Sequence, residues 1–125
     1  MIYDDVIKTL IQAQIPSPRL EARLLIAAAG NLKPDEVCGA TVLSPEAQAA
    51  LSQMLTQRIN HKPLDKIVGH KEFYKFDFKV NEKVLSPRPD TEIAVEAALK
   101  LIRAENITII ADFGTGSGCI LLSLL

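Results

Sequence analysis

The chain contains no tryptophan, only two cysteines among its 125 residues, and no uninterrupted apolar run long enough to cross a bilayer. Cys38 and Cys119 stand far apart and neither has metal-type spacing, so no metal site is expected. The opening Met1-Ile-Tyr-Asp-Asp is acidic where a secretory leader would be basic. These absences point to a cytoplasmic protein in a reducing compartment, away from the membrane. An excess of either charge is also missing. Fourteen basic residues face fifteen acidic ones, and a net charge of −1 gives no general attraction to nucleic acid or anionic lipid. What is present is ordinary globular composition, 48% hydrophobic and 23% charged.

The first sixty residues read as helices. Ile2, Val6, Ile7, Leu10 and Ile11 fall on one face at 3.6-residue spacing, and Pro16 closes that segment. Ser17-Pro18 offers a cap followed by a first-turn proline, with Leu20, Leu24, Ala27 and Ala28 as the apolar face and Gly30-Asn31 as the stop. Pro34 to Cys38 suggests one more helical turn. Ser44-Pro45-Glu46 repeats the start signal ahead of a stripe of Ala47, Leu51, Met54, Leu55 and Ile59. Three amphipathic helices make a small bundle. Six basic residues up to Lys62 are matched by six acids, which leaves no basic face for a helix-turn-helix reader of DNA. A protein-docking domain over residues 1–62 is the better expectation.

From Pro63 the period changes. Lys75 to Val80 alternates polar and apolar as a half-buried strand does, and Glu72-Phe73-Tyr74 supplies its partner in a hairpin. Four of the six aromatic residues lie between Phe73 and Phe78. Interleaved acids make this an inward-facing cluster rather than a stacking platform for single strands. Residues 63–85 are read as a hairpin linker, with His61 and His70 at its surface.

Leu85-Ser86-Pro87-Arg88-Pro89-Asp90-Thr91-Glu92 sets an arginine between two prolines just ahead of a helix. Asp90, Thr91 and Glu92 fall at its first turn, where acids suit the helix dipole. Ile93, Val95, Ala98, Leu99 and Ile102 give the apolar side, and Glu92, Glu96, Lys100 and Arg103 the wet one.

Ile107 to Asp112 reads as a buried parallel strand running into a turn with glycine at every second place, Gly114, Gly116 and Gly118. Such glycines permit positive φ and close approach to a ligand. Thr115 and Ser117 add hydroxyls, Asp112 stands at the strand's carboxyl end, and a helix is expected from about Cys119. Spacing narrows the ligand. The sixth place from Gly114 is Cys119, not the glycine of a dinucleotide fingerprint, and no lysine follows Lys100 to complete a phosphate loop. Asp-x-Gly-x-Gly-x-Gly after a strand resembles the first motif of Rossmann-like methyltransferases, which bind S-adenosyl-L-methionine.

Taken together, Ser86-Pro-Arg-Pro-Asp-Thr-Glu92 and Asp112-Phe-Gly-Thr-Gly-Ser-Gly118 resemble the HemK/PrmC family, which methylates glutamine in peptide chain release factors. Ser17 to Leu25 resembles the second helix of that family's amino-terminal bundle. Lys62 to Gly69 with Glu72-Phe73-Tyr74 resembles its junction and hairpin. The resemblance implies an α+β chain: a helical bundle, a hairpin linker and, over residues 86–125, the first strand of an incomplete Rossmann-like domain. It further implies that Asp112, Gly114, Thr115, Gly116, Ser117 and Gly118 contact the cofactor. Arg88, Pro89, Asp90, Thr91 and Glu92 would shape the pocket, and a release factor would be the partner of a monomeric enzyme.

The chain departs from the family in one respect. It has no Pro-Pro, so the Asn-Pro-Pro-Tyr motif that holds the glutamine amide is missing, and no catalytic residue is assigned. The expectation is a truncated chain, inactive alone. The apolar Ile120 to Leu125 would then be covered by strands this chain does not hold. The alternatives are a non-catalytic module that only docks a protein, or a related methyltransferase acting on a ribosomal-protein glutamine or on nucleic-acid adenine.

Overall fold

The computed structural model describes residues 2–125, which form two compact units, the first running to Val68 and the second from Gly69 to Leu125. The first is helical: α1 (Ile2–Gln12), α2 (Pro18–Gly30), a 3-10 turn (Pro34–Glu36), α3 (Pro45–Ile59) and α4 (Leu64–Val68). The second carries strands β1 (His70–Phe73) and β2 (Phe76–Lys79), then α5 (Thr91–Glu105) and α6 (Cys119–Leu124).

In the first unit α2 lies against both α1 and α3, and α4 packs on α2 and α3. Its core holds Val6, Leu10, Ala22, Leu25, Ile26 and Leu51, with Ile15, Val37 and Leu43 contributed by the connections. Side chains of this size contribute about 1.5–3 kcal/mol each on full burial. The expected stripe of α3 is the one that packs, with Leu51 buried and Ala47, Met54, Leu55 and Ile59 partly so.

The helix phases differ from expectation at three places. Ile11 is exposed, and α2 is turned so that Leu25 is fully buried while Leu20 is 58% exposed. Leu24-Leu25-Ile26-Ala27-Ala28-Ala29 is apolar without a break. Such a run leaves the period ambiguous until neighbours choose a face. On α5, Val95 is buried but Ile93, two residues earlier, is exposed.

Helix ends follow a shared rule. Gln14, Asn31, His61 and Asn106 all take positive φ just beyond α1, α2, α3 and α5. The next residue then donates five places back: Ile15 to Leu10, Leu32 to Ala27, Lys62 to Gln57 and Ile107 to Ile102. This is the Schellman closure, usually built on glycine. Pro16 is therefore not what stops α1; the chain has already turned at Gln14. At the starts, Ser44 Oγ accepts the Ala47 N–H at 3.2 Å, as expected of a cap. Ser17 does not cap with its side chain. It sits between two prolines in the left-handed region, φ 54°, and only its carbonyl serves α2, through the Glu21 N–H.

In the second unit the hairpin pairs His70 with Lys79, Lys71 with Phe78, Glu72 with Asp77 and Phe73 with Phe76. Two residues, Tyr74 and Lys75, make the turn. Phe73 and Phe78 meet edge to face with ring centroids 6.2 Å apart. With Val95 and Cys119 they form a small core, joined by Tyr74, Leu99, Ile120 and Leu124.

Residues 107–112 do not form the expected strand. Among the described residues the only sheet is the hairpin, and 107–112 lie outside any helix or ladder. Ile109 is 86% and Phe113 is 94% exposed. A parallel strand takes its hydrogen bonds from neighbouring strands, and β-branched composition cannot replace a missing neighbour.

Candidate functional site

The glycine turn adopts the backbone its composition demands. Gly114, Gly116 and Gly118 have φ of 73°, 58° and 79°. A β-carbon on Gly114 or Gly116 would meet no atom within 4 Å, so conformation rather than crowding requires glycine there. The Gly118 N–H closes on the Thr115 carbonyl at 2.8 Å, and α6 begins at Cys119, where the sequence places it. Cys119 is buried in the second core and anchors the turn. Ser123 Oγ donates back to the Cys119 carbonyl at 2.6 Å.

Two oxygens of this turn, Asp112 Oδ2 and Ser117 Oγ, are buried and have no hydrogen-bond partner among the described residues. Buried polar atoms are nearly always paired, which sets these two oxygens apart from the rest of the second unit. Thr115 is exposed beside them.

Arg88 and Pro89 form a second feature. Pro87 is buried, while Arg88, Pro89 and Asp90 are exposed. The Thr91 N–H donates to the Arg88 carbonyl at 3.0 Å and the Glu92 N–H to that of Pro89 at 2.9 Å. Proline after Arg88 suits the second position of such a turn, where φ is already near its fixed value. Asp90 precedes α5 without a side-chain capping bond.

Glu92 is not on the wet face. It is partly buried, and its Oε1 accepts the Tyr74 N–H at 3.1 Å. The Tyr74 hydroxyl donates to Glu96 Oε1 at 2.7 Å. That bond, with smaller contributions from desolvation and the Glu96 charge, holds the Tyr74 phenol above its ordinary pKa. Read from its pattern alone, Tyr74 has only a place in a strand. A tyrosine at the tip of a two-residue hairpin turn was the available signal, because that site normally takes asparagine or glycine.

The helices that follow the Arg88 turn and the glycine turn share a core: α5 contributes Val95 and Leu99, α6 contributes Cys119, Ile120 and Leu124. Among the described residues no cluster of three or more His, Cys, Asp or Glu could hold a metal ion, and no helix is long and apolar enough to cross a membrane.

By class, the first unit is a helical domain with its own core. The family described as PrmC N-terminal domain matches residues 2–69, more than half of the chain, and the chain belongs to that family. A protein named release factor glutamine methyltransferase from Rhodospirillum rubrum is 42% identical over 115 residues, covering 90% of this chain and 35% of that protein. Its namesake from Koribacter versatilis is 40% identical over 126 residues, covering 98% and 44%. That from Bradyrhizobium diazoefficiens is 42% identical over 121 residues, covering 93% and 41%. The chain thus spans less than half the length of these curated relatives. The family expected from Arg88 to Glu92 and the glycine turn is the family found.

Proposed function

We propose that the chain supplies the docking domain and the first part of the cofactor site of a methyltransferase. The enzyme would move a methyl group from S-adenosyl-L-methionine to the side-chain amide nitrogen of glutamine in the Gly-Gly-Gln loop of peptide chain release factors. One observation carries the cofactor assignment: three glycines at positive φ beside the unpartnered Asp112 Oδ2 and Ser117 Oγ. The methionine end of the cofactor suits that set. Its ammonium complements the Asp112 carboxylate, and its carboxylate can accept from Ser117 Oγ and from backbone N–H groups of residues 114–118.

The cofactor's contribution is an activated methyl on a sulfonium. An amide nitrogen is a poor nucleophile, so the protein's part is to position the glutamine and polarise its amide rather than to supply a strong base. Arg88 to Glu92 would shape the pocket that does this, within a Rossmann-like domain whose sheet gives residues 107–112 their neighbours. The names of the relatives support the substrate class, and the helical domain would engage the release factor.

The test uses a polypeptide of the relatives' full length carrying these 125 residues. Incubation with methyl-labelled S-adenosylmethionine and a release factor should label the Gly-Gly-Gln glutamine. Label on a ribosomal protein or on adenine instead would overturn the substrate assignment, and no label on any of them would overturn the enzyme.

A further inference from the structure

Tyr74 and Lys75 are the two central residues of the hairpin turn, with φ of 47° and 69°. Both therefore sit in the left-handed region, as a turn of this kind requires. Asparagine and glycine tolerate it; tyrosine does not do so readily. Residues held this way persist where surrounding contacts over-determine them. Here the contacts come from one helix. The Tyr74 N–H is received by Glu92 and the Tyr74 hydroxyl by Glu96, one turn further along the same face of α5.

Glu92 has a second engagement. While its carboxylate holds the hairpin, its own N–H closes on Pro89, beside the Thr91 N–H that closes on Arg88. One residue thus links the hairpin tip to the proline-framed turn. We propose that Tyr74 is a positioning residue which, through Glu92 and Glu96, sets the first turn of α5 and with it the placement of Arg88. The value of that placement for methyl transfer rests on the function proposed above; the linkage itself does not. In this arrangement Glu92 meets the hairpin rather than the substrate, and its part in the pocket is indirect.

The experiment is amide hydrogen exchange and ¹⁵N relaxation on the 125-residue chain without cofactor, so its outcome is independent of whether the enzyme assignment holds. Glu92→Ala should speed exchange of the Tyr74 amide by about ten- to hundredfold, the range for losing a hydrogen bond to a charged group. It should also loosen the Thr91 and Arg88 amides, with the Val95 and Leu99 methyl shifts unchanged. Glu92→Gln keeps an acceptor and should restore most of the protection. An Arg88 amide as ordered in Glu92→Ala as in the parent chain would overturn the proposal, as would a Gln variant no better than Ala. If Glu92→Ala disturbs the Val95 methyls, Glu92→Asp decides, since it draws the carboxylate one methylene back from the Tyr74 N–H and removes no backbone group. Faster Thr91 exchange in that variant supports the linkage, and unchanged exchange overturns it.

Discussion

Arg58 holds Glu21 from 37 residues away, with Nε to Oε2 at 2.6 Å and Nη2 to Oε1 at 3.0 Å. Both side chains are only 12% exposed. A third guanidinium nitrogen, Nη1, donates to the Lys62 carbonyl at 3.2 Å, so the same side chain also closes the end of α3. The pair fastens α3 to the first turn of α2, where a carboxylate also suits the helix dipole. The Glu21 hydrogen bonds raise the Arg58 pKa above an already high ordinary value. The guanidinium is therefore charged at every working pH.

Removing one partner should cost more than a surface ion pair and less than a fully dry one. Glu21→Ala is expected to lose about 2 kcal/mol, between the 0–1 of exposed pairs and the 3–5 of buried ones. Urea unfolding of Glu21→Ala, Arg58→Met and the double variant gives the coupling. A coupling near zero would show the contact to be incidental.

The phase of α2 has an equally direct test. Leu25→Ala should destabilise by about 3 kcal/mol, whereas Leu20→Ala should stay within about 0.5 kcal/mol. Equal losses would mean that α2 is rotated from the position described.

Exposed residues in the left-handed region should accept glycine. Gln14→Gly, His61→Gly and Lys75→Gly are each expected to gain about 0.5–1 kcal/mol, the relief of the β-carbon clash less the entropy glycine adds to the unfolded chain. Thermal unfolding measures this, and a loss at any position would contradict the backbone assigned there.

Tyr74 gives a pH dependence. Tyr3→Phe leaves it the only tyrosine of the two, so ultraviolet titration reads it alone. Its pKa is raised in the folded chain, chiefly by the hydrogen bond to Glu96. A raised pKa favours the protonated, folded form. Its contribution to stability is present below the unfolded value of about 10 and fades as pH rises through the folded one. Glu96→Gln should lower the midpoint. If the midpoint does not move, the Tyr74–Glu96 bond does not form in solution.

Much of the local structure was legible without coordinates. Pro18, Pro45 and the serine before Pro45 announce their helices because proline and cap chemistry act within a few residues. Alternation from Lys75 to Val80 announces β2. Gly114, Gly116 and Gly118 take positive φ because glycine alone adopts it freely. The Arg-Pro-Asp-Thr-Glu run and this turn were enough to name the family.

Other features depend on residues distant in sequence. Which side of the apolar run in α2 faces inward was settled by α1 and α3. That Glu21 answers Arg58 follows only from two helices meeting, because charge composition carries no geometry. Glu92 belongs to the hairpin because Tyr74 reaches it across a fold. Ile107 to Asp112 has strand composition, yet a strand exists only with a neighbour to share its hydrogen bonds. Short-range stereochemistry was written in the sequence; pairing and burial, which need two parts of the chain in one place, were decided by the tertiary structure.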